Sequence, residues 1–141
     1  MSSKLVNCAA IFIVKDVMKT AEFYKNILGF RVEEHFDNPE QFAALYRDDI
    51  ELIIIQAKYG EIISNRSRYG AGYDVYFSPE NIEGVDSIYN EFKEKGVRIV
   101  NPPSLKPYGS YEFCIEDNDG RLLGFGCIKH KDKFFRKGNC V

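Results

Sequence analysis

Cysteine and histidine are the residues of this sequence with the clearest capacity for metal binding or nucleophilic chemistry. The 141 residues include four cysteines and two histidines, His35 and His130. The cysteines, at positions 8, 114, 127 and 140, form no C-x-x-C pair and no zinc-type spacing. Two disulfides are possible, but small buried or terminal thiols are more usual in an intracellular chain. Nothing in the sequence places a histidine near Cys114, so we do not expect a nucleophilic thiol.

Phosphate and nucleic-acid chemistry are also poorly supported by the sequence. The segment G-A-G-Y at residues 70–73 is too short for a dinucleotide-binding loop and follows no predicted strand. The formal net charge is −2, whereas the last 13 residues carry five Lys or Arg and one Asp, or +4. The remaining chain therefore carries −6, which argues against nucleic acid as the main ligand. Residues 129–141 are interpreted as a basic C-terminal tail.

The sequence also lacks the features of a membrane or secreted protein. No apolar run approaches the roughly 18 residues that a membrane-spanning helix requires. The N-terminal Met-Ser-Ser-Lys segment has no signal-peptide core. With 45% apolar and 28% charged residues, the composition is that of an ordinary globular protein. We expect a cytoplasmic protein without membrane contact.

The elements that would position any site begin with an order βαβββ. Residues 8–14, C-A-A-I-F-I-V, are apolar on both faces and predict a strand that is covered on both sides. Asp16 suits a helix N-cap, an apolar stripe follows at helical spacing, and Gly29 ends the helix. The stripe consists of Val17, Ala21, Tyr24 and Leu28. Three further strands are predicted at residues 31–35, 42–46 and 50–56, with turns at 37–39 and 48–49. Residues 1–57 form the first predicted module.

The same order returns after a polar stretch, residues 58–72, which we interpret as a linker. A helix is predicted at residues 79–95, ended by Gly96, with Ile82, Val85, Tyr89 and Phe92 at helical spacing. Strands are predicted at residues 73–78, 97–100, 111–115 and 122–127. The chain therefore contains an internal repeat of about 65 residues, and residues 73–128 form the second module.

Two such modules predict an α+β fold with a ligand site. One helix covers only one face of a four-stranded sheet, so the opposite face needs another partner. Two tandem modules can form an open, curled mixed sheet around a central cleft, which is a natural place for a small molecule.

Two segments of the sequence carry a resemblance to a known family. These are V-x-D-V-x-x-T-x-x-F-Y-x-x-x-L-G-F at residues 14–30 and D-N-D-G-R-L-L-G-F-G at residues 117–126. They resemble the vicinal oxygen chelate superfamily, which includes glyoxalase I, extradiol dioxygenases and bleomycin resistance proteins. The resemblance covers about residues 7–128 and implies the fold described above. It does not specify a function, because the fold hosts unrelated chemistries.

The resemblance implies a divalent metal in the cleft, held by His or Glu at four positions. In this sequence those positions fall at Ala9, Ile53, Asp74 and Gly124. A two-residue slip in the fourth strand would place Glu51 there instead of Ile53. Even so, two carboxylates without histidine fall short of the three protein ligands that a catalytic zinc site commonly uses. We therefore expect no metal and no other cofactor.

The alternation of side chains along the strands predicts the wall of the cleft. The predicted ligand-binding residues are Ala9, Ile11, Phe42, Tyr46, Ile53, Asp74, Tyr76, Gly124 and Gly126. This wall is apolar and aromatic with isolated polar groups, and the two glycines are expected to leave space on it. The alternative is that the same residues are simply core.

Asp74 is the one candidate for catalysis. It could accept hydrogen bonds from a ligand amine or act as a general base. It could equally have a structural role, bonded to Arg47, Arg98 or a loop amide.

The resemblance and the wall together predict a metal-free protein, similar to bleomycin resistance proteins, that sequesters an aromatic or amphipathic compound. The alternative is a glyoxalase-like lyase or isomerase, either metal-dependent or using Asp74 as base. A homodimer is expected as well, because both edges of each short module can pair and proteins of this resemblance often associate in pairs.

Overall fold

The computed structural model describes residues 2–34 and 41–128, and in that range the chain forms eight strands and three helices. The chain divides into two compact units, Met1–Ile62 and Ile63–Val141, each with one four-stranded mixed sheet. The predicted α+β fold of two βαβββ modules is confirmed. Both histidines, Cys140, the predicted turn at 37–39 and the predicted tail at 129–141 lie outside the described residues.

Among its described residues the first unit contains one helix and one sheet. Its elements are β1 (Ala10–Val14), α1 (Val17–Asn26), β2 (Arg31–Glu34), β3 (Phe42–Arg47) and β4 (Ile50–Gln56). The strand order is β1-β4-β3-β2, with β1 parallel to β4 and the other pairs antiparallel.

The helix α1 follows from local sequence chemistry. The carboxylate of Asp16 accepts a hydrogen bond from the Lys19 amide at 3.1 Å, which satisfies one amide of the first turn. Gly29, after the helix, has φ of 77°, a conformation that side-chain-bearing residues rarely adopt. The apolar stripe predicted for the helix is buried, and α1 packs on β3 and β4.

The sheet of the first unit has two unlike faces. Phe12, Val14, Leu52 and Ile54 are buried on the face that α1 covers. Their neighbours in sequence, among them Ile11, point to the opposite face because strand side chains alternate. The register places Ile11 beside Ile53, and Ile53 beside Ala44 of the next strand.

The second unit repeats the pattern with one added helix. Its elements are α2 (Asn65–Tyr69), β5 (Val75–Phe77), α3 (Ile82–Glu94), β6 (Arg98–Leu105), β7 (Ser110–Glu116) and β8 (Leu122–Ile128). The strand order is β5-β8-β7-β6, with β5 parallel to β8. None of the three helices among the described residues is long and apolar enough to cross a membrane.

The short helix α2 lies within the stretch predicted as a linker. Ser64 caps it by accepting a hydrogen bond from the Ser67 amide at 3.1 Å, and Gly70 ends it with φ of 82°. The stretch has no apolar stripe, so periodicity did not predict this helix.

An aromatic cluster forms the core of the second unit beneath α3. The rings of Phe113 and Phe125 stack with centroids 5.1 Å apart, and Phe92 of α3 meets both edge-on. Such arrangements suit the ring quadrupoles. The helix therefore covers one face of this sheet, as α1 does in the first unit.

The edge strand β6 is longer than the sequence predicted. It continues to Leu105, through Pro102 and Pro103, and its pairing with β7 shows register shifts there. Proline is tolerated at an edge because one side of the strand needs no ladder hydrogen bonds.

Candidate functional site

The first unit presents an apolar surface on the sheet face opposite α1. Ile11 and Ile13 of β1 are 58% and 45% exposed, although both are large apolar residues. Ile53, Phe42 and Tyr46 are half-buried. We name the strip formed by these five side chains the β1/β3/β4 face. It can bury the apolar body of a small molecule.

The β1/β3/β4 face has a polar end at Glu51. The Tyr46 hydroxyl donates to Glu51 Oε2 at 2.7 Å, and Asn7 Nδ2 donates to Glu51 Oε1 at 3.1 Å. The hydrogen bond to Glu51, followed by burial, raises the pKa of the Tyr46 phenol above its ordinary value. The guanidinium of Arg31 lies 5.3 Å from the centroid of the Tyr46 ring. The polar end thus contains an anchored carboxylate beside an aromatic ring.

Glu51 and Ile53 lie on the same face of β4. The sequence left open which of the two occupies the family's fourth-strand position. Because they are two residues apart, alternation points both away from the side on which Leu52 and Ile54 are buried. Ala9 immediately precedes β1 and is half-buried.

The second unit contains a buried carboxylate surrounded by hydroxyl groups. Glu112 of β7 is 0% exposed. Its Oε1 accepts hydrogen bonds from the hydroxyls of Tyr73, at 2.7 Å, and Tyr108. Its Oε2 accepts one from Ser110 Oγ at 2.8 Å, and the Tyr76 hydroxyl lies 2.6 Å from the same Oγ. We call these five residues the Glu112 cluster.

Burial and the Glu112 carboxylate keep the surrounding phenols protonated. Burial, followed by the hydrogen bond to Glu112, raises the pKa of Tyr73 well above its ordinary value and raises the pKa of Tyr108 to about 12. Cys114 lies on β7, as Glu112 does. Burial raises the pKa of the Cys114 thiol to about 11, and the nearby Arg66 opposes part of that rise. Near neutral pH the phenols are therefore donors, and Cys114 is not a thiolate nucleophile.

The expectation that Gly124 and Gly126 leave open space is wrong. A Cβ on Gly124 would lie 2.5 Å from the Tyr73 ring. A Cβ on Gly126 would lie within 3 Å of Glu112 Cβ, Ser110 Oγ and the Tyr76 hydroxyl. The absence of side chains at both glycines lets the two tyrosines lie against the backbone of β8, so their rings fill the space.

The Asp74 carboxylate accepts hydrogen bonds from two backbone amides. Its Oδ1 accepts a hydrogen bond from the Asn65 amide at 2.9 Å, and its Oδ2 accepts one from the Leu122 amide at 2.8 Å. Of the partners considered from the sequence, Arg98 instead pairs with Glu116, at 3.3 Å. Asp74 therefore joins the start of α2 to β8, and the geometry favours the loop-amide interpretation.

The residues at the family's metal positions do not fit a metal ion. The side chains of Ala9, Ile53 and Gly124 have no atom that can ligate a metal. Each oxygen of the Asp74 carboxylate accepts a hydrogen bond from a backbone amide. Within residues 2–34 and 41–128, no three His, Cys, Asp or Glu side chains come together to hold a metal. A divalent cation would find too few ligands here.

Sequence reasoning placed Tyr76 on the correct sheet face but missed most of the Glu112 cluster. The signal was available in S-Y-E-F-C at residues 110–114, where alternation puts Ser110, Glu112 and Cys114 on one face. A glutamate is rarely fully buried, so the alternation alone does not indicate a buried polar site.

Similar folds occur in two proteins of known ligand or activity. A bleomycin-binding protein from Streptomyces verticillus, solved with copper(II)-bleomycin, has a TM-score of 0.68 at 18% identity, covering 91% of this chain and all of that chain. Lactoylglutathione lyase from Agrobacterium tumefaciens has a TM-score of 0.66 at 15% identity, covering 89% of this chain and 95% of that one. At these identities the likeness shows the fold alone.

The sequence comparisons agree with this fold. The YraH protein of Bacillus subtilis (strain 168), itself uncharacterized, is 27% identical over 115 residues, which are 79% of this chain and 89% of that protein. The family match covers residues 5–125, which is most of the chain. The chain therefore belongs to the Glyoxalase/Bleomycin resistance protein/Dioxygenase superfamily.

Proposed function

We propose that this protein is a metal-free small-molecule-binding protein that holds an aromatic or amphipathic compound on the β1/β3/β4 face. The observation that carries this proposal is the exposure of large apolar side chains there, Ile11 above all. Exposed apolar surface of this kind is costly in water unless a partner covers it. A compound that removed it from water would gain about 25 cal/mol for each Å² buried.

The polar end of the face supports an amphipathic ligand. Each Glu51 oxygen accepts one hydrogen bond within the protein, and a carboxylate oxygen has room for a second. A ligand amine or hydroxyl could take that place while its apolar body lies along Ile11 and Ile53. The Tyr46 ring supplies an aromatic surface for stacking.

The geometry favours binding over catalysis. Asp74, the candidate base, accepts hydrogen bonds from two backbone amides. Glu112 is fully buried, and the thiol pKa of Cys114 is about 11. Among the described residues these groups are poorly placed as a base or nucleophile. The similarity to a lactoylglutathione lyase is a similarity of fold and adds no catalytic group.

A thermal-shift screen with aromatic and amphipathic compounds tests the proposal. A compound at one hundred times its dissociation constant adds about 2.7 kcal/mol of apparent stability, which is a shift of several degrees. Ile11→Ser and Ile53→Ser should abolish the shift. Met18→Ser, a change at another exposed apolar residue on α1, is the matched control and should retain it.

Two results would overturn the proposal. One is binding that survives both isoleucine changes. The other is turnover of a glutathione hemithioacetal by the purified protein with added nickel, zinc or manganese, which would favour the lyase alternative.

We further propose a homodimer. The sheet orders leave β1, β2 and β5 among the edge strands of their own sheets, and such edges can pair with another chain. Sedimentation equilibrium at micromolar concentration should give twice the chain mass of 16.2 kDa. A single-chain mass over that range would contradict the proposal.

A further inference from the structure

One cavity is lined only by residues of the second unit, whereas the β1/β3/β4 face belongs to the first unit. The cavity, of about 420 Å³, is bounded by α2 and by strands β6, β7 and β8. Arg66 and Ser67 line it from α2, Arg98 from β6 and Glu116 from β7. Its volume is within the range of pockets for small ligands.

The lining of this cavity is positively charged. Two guanidinium groups face one carboxylate, that of Glu116. Arg98 Nε lies 3.3 Å from Glu116 Oε2, with 78% of the Arg98 side chain exposed, so solvent weakens this pair. A guanidinium has five N–H donors, and the Arg98 pair uses the one on Nε. The Nη groups of Arg98 therefore remain available to a ligand.

Arg66 is positioned by an aromatic ring. Its guanidinium carbon lies 5.6 Å from the centroid of the Tyr73 ring, in a cation–π contact. That ring is held in turn by the hydrogen bond from Tyr73 to the buried Glu112. Among the described residues no carboxylate forms an ion pair with Arg66. A stacked guanidinium keeps its N–H edge directed outward, where it can meet a planar or tetrahedral anion.

We propose that this cavity binds a small organic anion, with its carboxylate or phosphate group between Arg66 and Arg98. The fork of a guanidinium matches both kinds of oxyanion, and such charge-assisted hydrogen bonds are stronger than neutral ones. The cavity wall is mainly polar, and Ile99 and Leu122 add a small apolar contact for the organic part. The ligand class that we test is therefore an anion with a compact organic body.

Isothermal titration calorimetry with four probes tests this assignment. Phenyl phosphate and benzoate represent the two oxyanions, inorganic phosphate lacks the apolar body, and benzylamine reverses the charge. At least one of the two organic anions should bind at low salt. Its affinity should fall when NaCl is raised from about 0.02 M to about 0.5 M, because salt screens the attraction.

Matched variants connect the binding to the cavity. Arg66→Gln and Arg98→Gln should each weaken binding of the organic anion by roughly tenfold or more. Arg68→Gln removes the same charge from the same helix at an exposed position outside the cavity lining, and should keep the wild-type affinity. A melting temperature within about two degrees of wild type shows that each of these three glutamine variants is folded. Tyr73→Phe keeps the ring beneath Arg66 and should keep most of the affinity.

Several outcomes would overturn the proposal. These are no binding of either organic anion, equal binding of benzylamine or inorganic phosphate, or an equal loss of affinity in Arg68→Gln. A loss caused by Ile11→Ser would also count against it, because that residue does not line the cavity. Failure of the β1/β3/β4 face to bind any compound would leave this test unaffected.

Discussion

Glu112 is the most unusual residue of the second unit, because its carboxylate is fully buried and accepts hydrogen bonds from three hydroxyl groups. A buried carboxylate is costly unless hydrogen bonds replace the water it loses. Removing one donor leaves that cost partly uncompensated. The cluster is therefore sensitive to the loss of a single oxygen atom.

Tyr73→Phe should destabilise the protein by about 1–2 kcal/mol, because the ring stays while one donor to Glu112 is lost. Urea denaturation at neutral pH measures the change. Tyr59→Phe is the matched control, since Tyr59 is 91% exposed, and it should change the free energy of unfolding little. An equal effect of the two substitutions would contradict the importance of the hydrogen bond.

The same cluster predicts a dependence on alkaline pH. Burial and the bond to Glu112 raise the pKa of Tyr108 from its ordinary value of 10.0 to about 12 in the folded state. The stabilisation is therefore complete below pH 10.0 and is lost as the pH rises through about 12. In urea titrations the stability difference between wild type and Tyr108→Phe should narrow over that interval. A constant difference would show that ionisation of Tyr108 is not coupled to folding.

Cys114 should resist alkylation in the native protein. With a thiol pKa of about 11, roughly one thiol in a thousand is ionised at pH 8, and the side chain is 0% exposed. Iodoacetamide followed by peptide mass spectrometry should show modification of the exposed Cys8 first. Modification of Cys114 should appear only with denaturant. Comparable alkylation rates for Cys8 and Cys114 in the native protein would refute this prediction.

At the scale of elements, β8 and the segment leading into β5 depend on each other through the two glycines. Gly124→Ala should cost about 1–3 kcal/mol, because the new Cβ would meet the Tyr73 ring. Gly126→Ala should cost more, since Glu112 Cβ, 2.6 Å away, is fixed to the backbone and cannot rotate aside.

A double-mutant cycle tests this packing. In a Tyr73→Ala background the cost of Gly124→Ala should largely disappear, because the ring is gone. Additive effects on the free energy of unfolding would indicate that some other contact limits Gly124.

Helices with a cap and an apolar stripe could be predicted from sequence, whereas contacts across the sheets could not. Asp16, Gly29 and the stripe between them are local signals, and α1 forms where they indicate. The hydrogen bond between Tyr73 and Glu112 joins residues 39 positions apart. No local pattern specifies that pairing, and a general rule places glutamate at the surface.

At the scale of the whole molecule, repetition in the sequence predicted two modules with the element order βαβββ, and each unit of the structure has one four-stranded sheet. The repeat did not predict that the two sheets differ on the faces away from their helices. One face is apolar around Ile11, whereas the other is filled by the tyrosines around Glu112. The difference lies on one side of the strands, because the helix-facing side is apolar and buried in both units.

The two prolines of β6 bear on how copies of this molecule behave at high concentration. Pro102 and Pro103 have no backbone N–H group, so this stretch of the edge offers no N–H donor to a docking strand. A second strand docking there would lose a hydrogen bond and meet an irregular register. The β6 edge should therefore be a poor template for fibrils and for dimer contacts. Replacing both prolines with threonine should increase light scattering on mild heating, whereas Ser104→Thr should not. Equal scattering by the wild type and the double proline variant would show that this edge needs no such protection.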